Sequence, residues 1–251
     1  MPRVIITGAS SGLGAALAGV YAKRGALLGL IARRRPELQA LAATLGRCRF
    51  YPVDVRDSAL LRQAADDFLA HEGCPDIVIA NAGVSYGTLT EHAQDLRAIQ
   101  DIMDVNVLGV ARTFQPFIEP MRAAGSGVLV GIASVAGYRG LPGAEGYCAS
   151  KAALIAYLES LRVRLRRDGI RVITICPGYI ATAMTADNPY PMPFLLDADA
   201  AAKKIVRLIE RGATYAVIPW QMAIIARILR AIPNVLFDRS LADAPHKPRR
   251  R

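Results

Sequence analysis

The chain has 251 residues, 53% of them hydrophobic and 21% charged, with a mean hydropathy of +0.26, which excludes a disordered polymer and predicts one large α/β unit with a sheet buried on both faces. The formal charge of +10 is concentrated at the C-terminal end, where residues 203–251 carry eleven Lys or Arg against Glu210, Asp238 and Asp243. A nucleic-acid binder spreads charge along a whole face and interleaves aromatics, so nucleic acid is not expected as a partner.

In chain order, short apolar runs alternate with segments of helical period, the pattern of repeated βαβ units. Strands are expected at Val4–Thr7, Leu27–Ala32, Phe50–Val53, Ile77–Ala80, Val128–Ala133, Val172–Cys176 and Tyr215–Ile218, with helices over 12–24, 36–46, 57–72, 91–123, 146–168 and 199–211. The expected architecture is a doubly wound Rossmann fold, a central parallel sheet of about seven strands with helices on both faces. Residues 1–218 form its dinucleotide-binding and catalytic part, and 219–251 an amphipathic helix and basic tail.

Cys48, Cys74, Cys148 and Cys176 form no CxxC pair, and His71, His92 and His246 cluster with neither each other nor the thiols, so no metal site or disulfide is expected. The apolar stretch Val4-Ile5-Ile6 is too short for a signal-peptide core, and no window offers some twenty uninterrupted apolar residues. A cytoplasmic location follows as the expectation.

After the first strand comes Thr7-Gly8-Ala9-Ser10-Ser11-Gly12-Leu13-Gly14, a glycine turn opening a helix. The backbone N–H groups and positive end of such a helix can hold a pyrophosphate, and glycine permits the close approach this needs. After the second strand the chain reads Arg33-Arg34-Arg35 where an acidic residue would accept from a ribose 2′-hydroxyl. Guanidinium groups instead offer paired donors to a 2′-phosphate, favouring NADP(H) over NAD(H); a solvated basic cap on a helix is the alternative. The third strand leads to Asp54-Val55 and the fourth to Asn81-Ala82-Gly83. Asp54 can accept from an adenine amino group and Gly83 can admit a ribose, or both are ordinary turn residues.

Ser134 follows the fifth strand, and Tyr147-Cys148-Ala149-Ser150-Lys151 starts a helix, with Tyr147 and Lys151 on one face at i and i+4. A phenol ordinarily titrates near 10. A cation at ~4 Å with an effective dielectric of ~20 favours phenolate by at most ~4 kcal/mol, which would bring proton exchange toward neutrality. Tyr147 would then pass a proton to a carbonyl oxygen that Ser134 orients, while Lys151 grips the nicotinamide ribose.

These motifs, together with Asn106 and Pro177-Gly178, occur in the order and at the separations of the short-chain dehydrogenase/reductase family, which the chain resembles over roughly residues 3 to 182. The resemblance implies a catalytic set of Asn106, Ser134, Tyr147 and Lys151. It also implies that the turn from Pro177 through Gly178 and Ile180 to Thr182 closes over the nicotinamide carboxamide, by way of the Ile180 backbone and the Thr182 hydroxyl. The activity implied is reduction of a ketone or aldehyde, or the reverse; a non-catalytic NADP-binding regulator or scaffold is the alternative. The intact Ser134, Tyr147 and Lys151 argue against the latter.

The apolar loop with Met184, Pro189, Tyr190, Pro191, Met192, Phe194, Leu195 and Leu196 favours a hydrophobic small-molecule carbonyl or alcohol substrate. The glycine-rich ending by which many members build tetramers is missing, leaving a homodimer or higher homo-oligomer expected without that device. In its place, Ile224, Ile225, Ile228, Leu229, Ile232 and Leu236 share one face of a helix if it runs past Pro233, with Arg227, Arg230 and Asn234 opposite. Such a helix either packs on the core, a subunit or the cleft, or lies on an anionic membrane surface through residues 219–239.

Overall fold

The computed structural model describes residues 1–242 and 244–249, so Arg250 and Arg251 of the basic tail lie outside the described residues. Nine strands occur in it: β1 Arg3–Thr7, β2 Leu27–Ile31, β3 Cys48–Tyr51, β4 Ile77–Ala80, β5 Gly127–Ile132, β6 Ile170–Pro177, β7 Ile180–Ala181, β8 Leu196–Asp197 and β9 Tyr215–Ile218. The helices are α1 Gly12–Ala22, α2 Arg35–Leu45, α3 Ser58–Glu72, α4 Ala93–Met103, α5 Gly109–Ala123, α6 Glu145–Leu165, α7 Ala198–Glu210, α8 Trp220–Ala231 and α9 Asn234–Leu241. None of the described helices is long and apolar enough to cross a membrane.

Seven strands form one parallel sheet in the order β3-β2-β1-β4-β5-β6-β9, while β7 and β8 pair separately. This is the doubly wound Rossmann arrangement. The order reverses at β1 and β4, so the connections leave in opposite directions and open a crevice at their carboxyl ends. Side-chain alternation gives the sheet two cores: Val4 and Ile6 face α1, α2 and α7, whereas Ile5 faces α3, α5 and α6. Phe68, Phe114 and Phe117 fill the second face almost without exposure. Local signals stop and start the helices: Asp57 accepts from the Leu60 N–H, Asp197 accepts from the Asp199 and Ala200 N–H groups, and Gly46 and Gly73 follow α2 and α3 with positive φ.

Several boundaries differ from the sequence expectation. β3 occupies Cys48–Tyr51 rather than Phe50–Val53, because as an edge strand it pairs Cys48 to Tyr51 with Leu28 to Ile31 and never becomes fully buried. The expected helix over 91–123 is two helices joined by a π-helical turn, Asp104–Leu108, carrying Asn106. Helix α6 ends at Leu165, followed by a 3₁₀ turn over Arg166–Asp168. The C-terminal helix does not run through Pro233, and α9 begins immediately after it. On α8, Met222 and Ala226 are buried, while Ile224 and Ile228, for which both packing and a membrane surface were open alternatives, are exposed.

Candidate active site

A cleft of about 340 Å³ lies along the carboxyl ends of the strands, bordered at one end by Ser10, Ser11, Arg33 and Arg34 and reaching Ser134, Tyr147 and Lys151. Gly8, Gly12, Leu13, Gly14, Asp54, Val55, Asn81, Ala82, Gly83, Pro177, Gly178, Ile180 and Thr182 also line it. Asn106 stands just behind this lining. Ala32, Val53, Val84, Val105 and Ile132 line it too, unmarked in the sequence because they look like any strand-end or loop hydrophobe, as does Met184 of the apolar loop.

At the glycine turn, Gly8 has a φ of 67°, and a Cβ on Gly14 would lie 2.2 Å from the Gly8 carbonyl oxygen. The turn therefore folds back on the start of α1 as only glycine allows. Ser11 caps α1 without a side-chain hydrogen bond, leaving the first-turn N–H groups facing the cleft. Arg34 reaches across from the end of β2 and donates through Nη2 to Ser10 Oγ at 3.0 Å and Ser11 Oγ at 2.7 Å. Hydroxyls and exposed guanidiniums thus converge where the adenosine end of a dinucleotide falls in this fold.

Asp54 is held by Arg56, which donates from Nε and Nη2, with Arg33 3.9 Å away. Burial alone would raise its carboxyl, but hydrogen bonds from Arg56 and the charges of Arg56 and Arg33 bring it below the ordinary value. The Asn81 amide donates to the Thr7 carbonyl at 3.0 Å, and the Thr7 hydroxyl accepts from the Asn81 and Ala82 N–H groups at 3.1 Å each. Asn81 therefore joins the ends of β1 and β4, which fixes the floor on which a ligand would lie.

Ser134 follows β5 and caps a 3₁₀ turn, its Oγ accepting from the Ala136 N–H at 3.1 Å. Tyr147, in the first turn of α6, lines the cleft together with that hydroxyl, which acts to lower its phenol. One turn on, the Lys151 ammonium donates to the Ile132 carbonyl at 2.8 Å and stands 5.8 Å from the Tyr147 ring centre. The expected lowering of the phenol is reversed. Burial pushes Tyr147 up to about 12 against the opposing effect of Ser134, and burial brings Lys151 down to about 8. Burial is the largest effect on both groups, so at neutral pH the phenol holds its proton.

Asn106 is completely buried. Its Oδ1 accepts from the Val84 N–H at 2.8 Å, and its Nδ2 donates to the Val84 carbonyl at 2.9 Å and Ser150 Oγ at 3.0 Å. Ser150 in turn donates to the Tyr147 carbonyl at 2.8 Å. Asn106 thus ties the loop after β4 to the helix turn bearing Tyr147. Ser150 was overlooked, although a small polar residue inside a buried helix is itself a sign of such a link. A Cβ on Gly83 would stand 3.3 Å from Asn106 Oδ1 and 3.7 Å from Lys151 Nζ, so the absence of a side chain there keeps the cleft open beside the ammonium. The residues present fit a nicotinamide dinucleotide: a helix N-terminus for the pyrophosphate, cations beyond it, and an ammonium and hydroxyls at the far end.

Comparison with known proteins agrees. The sequence profile described as short chain dehydrogenase matches residues 2–191. A Myxococcus xanthus protein described as an uncharacterized oxidoreductase is 41% identical over 240 residues, covering 93% of this chain and 94% of its own. An Arabidopsis thaliana 11-beta-hydroxysteroid dehydrogenase-like protein is 37% identical over 222 residues, 84% of this chain and 71% of its own. The structure of a short chain dehydrogenase from Burkholderia cenocepacia in complex with NADP superimposes with a TM-score of 0.83 at 26% identity, covering 96% of this chain and 97% of the other. The chain belongs to the short-chain dehydrogenase family and is a nicotinamide-dependent oxidoreductase.

Replacing Gly14 by Ala should weaken NADPH binding at least about tenfold in a fluorescence titration. It should also lower Tm by several degrees, the cost of forcing a methyl against backbone being about 1–3 kcal/mol. Unchanged binding would mean that the turn does not hold the cofactor.

Proposed function

We propose that the protein is an NADPH-preferring reductase of apolar ketones or aldehydes in which Tyr147 donates the proton. The observation that carries this reading is the half-buried Tyr147 phenol lining the cleft with Ser134, one helical turn from the buried Lys151 ammonium that is anchored on the Ile132 carbonyl. When bound, the reduced nicotinamide supplies hydride to the carbonyl carbon. The Ser134 hydroxyl holds the substrate oxygen, Tyr147 Oη gives it a proton as negative charge develops, and the Lys151 charge stabilises the phenolate left behind. Asn106 and Ser150 keep the Tyr147 turn in register with the loop after β4. Asp54, Val55, Asn81, Ala82, Gly83, Pro177, Gly178, Ile180 and Thr182 frame the cofactor.

NADPH is preferred because Arg33 and Arg34 are exposed at the end of β2, with Arg34 drawn over Ser10 and Ser11 to form a cationic rim suited to a 2′-phosphate. An apolar substrate is supported by the segment between β7 and β8, where Met184, Phe194 and Leu195 are exposed and the Tyr190 ring pairs at 6.3 Å with that of Tyr179 just before β7. Phe194 also has a φ of 57°, unusual for a residue with a bulky side chain.

The C-terminal helices support a second element of the reading, contact with an anionic membrane surface. Trp220, Ile224, Ile228, Val235 and Leu236 are 47% to 66% exposed, and the exposed Arg227, Arg230 and Arg239 accompany them on the same two helices. Apolar side chains interspersed with arginine complement acidic lipid head groups. Arg139 fixes the pair to the loop after β5, donating to the Leu229 and Ile232 carbonyls and to Asn234 Oδ1 at 2.9 Å while lying 3.7 Å over the Phe237 ring. The apolar surface is therefore presented rigidly.

On ketones graded in chain length and ring size, NADPH oxidation should fall about 100- to 10,000-fold in Tyr147→Phe with NADPH affinity retained. Because the Lys151 ammonium loses its proton as pH rises through about 8 while the phenol keeps its own, reduction should decline above that pH and not below it. Tight NADPH binding without turnover of any ketone would favour a regulator instead. Removing both guanidiniums with Arg33→Ala and Arg34→Ala should weaken NADPH by about 10- to 100-fold and leave NADH nearly unchanged. On the membrane side, the protein should float with phosphatidylglycerol vesicles at low salt and be released by Trp220→Ser with Ile228→Ser. A stable dimer that hides Trp220 from quenchers would assign the same surface to a second subunit.

A further inference from the structure

The basic C-terminal run does not behave as a free tail. Arg249 donates from Nε to Asp95 Oδ2 at 2.7 Å and from Nη2 to Asp95 Oδ1 at 3.1 Å. Asp95 lies 154 residues earlier and its side chain is only 3% exposed. A carboxylate this buried needs compensation, and besides Arg249 it accepts from the Leu89 N–H at 2.9 Å. The Arg249 hydrogen bond, followed by the one from Leu89, holds the carboxyl below its ordinary value. The Gly87 N–H donates to the Pro248 carbonyl at 2.9 Å, Lys247 Nζ donates to the Met184 carbonyl at 2.9 Å, and His246 packs against Gly143.

These contacts join three segments around the substrate end of the cleft. Gly87 and Leu89 belong to the loop after β4, Met184 lines the cleft that Tyr147 also lines, and Gly143 lies four residues before Tyr147. The first and last are themselves coupled: the Thr88 N–H donates to the Gly143 carbonyl at 3.0 Å, and the completely buried Thr88 hydroxyl accepts from the Gly146 N–H at 3.1 Å. The link thus runs from Arg249 through Asp95 and the 87–89 loop to the first turn of α6.

We propose that residues 246–249, which border a separate hollow with Leu89 and Gly143 and do not line the cleft themselves, are an outer wall braced behind it: clamped by Arg249 on Asp95, they hold the 87–89 loop, the Gly143 turn and the Met184 segment together and so set the size of carbonyl compound admitted. Arg249 and Asp95 are positioning residues that touch neither cofactor nor reacting atoms. The size-selection part rests on the carbonyl-reductase reading; the clamp itself does not.

Gly87 offers a way to unseat the wall without touching the ion pair, since a Cβ there would fall 2.0 Å from the Lys247 carbonyl oxygen. Three variants serve as the test: Arg249→Ala, Gly87→Ala and a chain ending at Pro245. Each should raise KM for the preferred ketone about tenfold and flatten the ranking by chain length, with kcat and NADPH affinity held within about threefold. Gly87→Ala should add nothing in the shortened chain. Amide hydrogen exchange reports the clamp without any substrate: exchange at Gly87, Leu89 and Gly146 should accelerate in Arg249→Ala while the sheet stays protected. Unchanged exchange there overturns the clamp. Accelerated exchange with an unchanged KM and ranking overturns the size selection, and loss of all turnover in the parent protein would fail the reductase reading while leaving the exchange result decisive for the clamp.

Discussion

An ammonium removed from water must be given oxygen partners or lose its charge, and Lys151 meets this need at the last residue of β5. Its bond to the Ile132 carbonyl fixes the distance between the sheet and α6 at the one place where both contribute chemistry. Ser134 is two residues beyond that carbonyl, and Tyr147 is one helical turn before the lysine. A single hydrogen bond therefore sets strand end, helix start and hydroxyl pair relative to one another. The same burial that makes the ammonium hard to hold also keeps the phenol protonated.

Around that point the cleft divides its tasks between the two sides of the strand-order reversal. The β1–β2 side supplies backbone N–H groups and guanidiniums, which suit phosphate. The β5–β6 side supplies hydroxyls, an ammonium and an apolar rim, which suit a carbonyl on a hydrophobic skeleton. The ends of β1 and β4 are joined through Thr7 and Asn81, so the two halves share a rigid floor.

The parts legible in the sequence were those encoded locally. The glycine turn, the arginines after β2 and the i, i+4 pair of Tyr147 and Lys151 are short motifs whose physical meaning needs no distant partner. The π-helical turn at Asn106 was invisible, since one extra residue in a turn barely disturbs a periodic pattern. Which apolar residues of α8 go inside was not legible, since Met222 and Ala226 carry no stronger signal than Ile224 and Ile228 and only packing separates them. Charge arithmetic gave only an upper bound for the effect of Lys151 on the Tyr147 phenol, because how far burial opposes it depends on packing that the sequence does not display. The basic tail read as suited to an anionic partner or membrane surface, and nothing near it revealed that Arg249 pairs with Asp95 of the same chain.

The 154 residues between Asp95 and Arg249 make their ion pair a closure of more than half of the chain upon itself. Closing a loop costs entropy that grows only slowly with its length, but a pair so far apart can meet only after the strands between them have stacked into the sheet. The loop beside Asp95 is therefore among the last parts of the fold to settle, and the sheet does not wait on it.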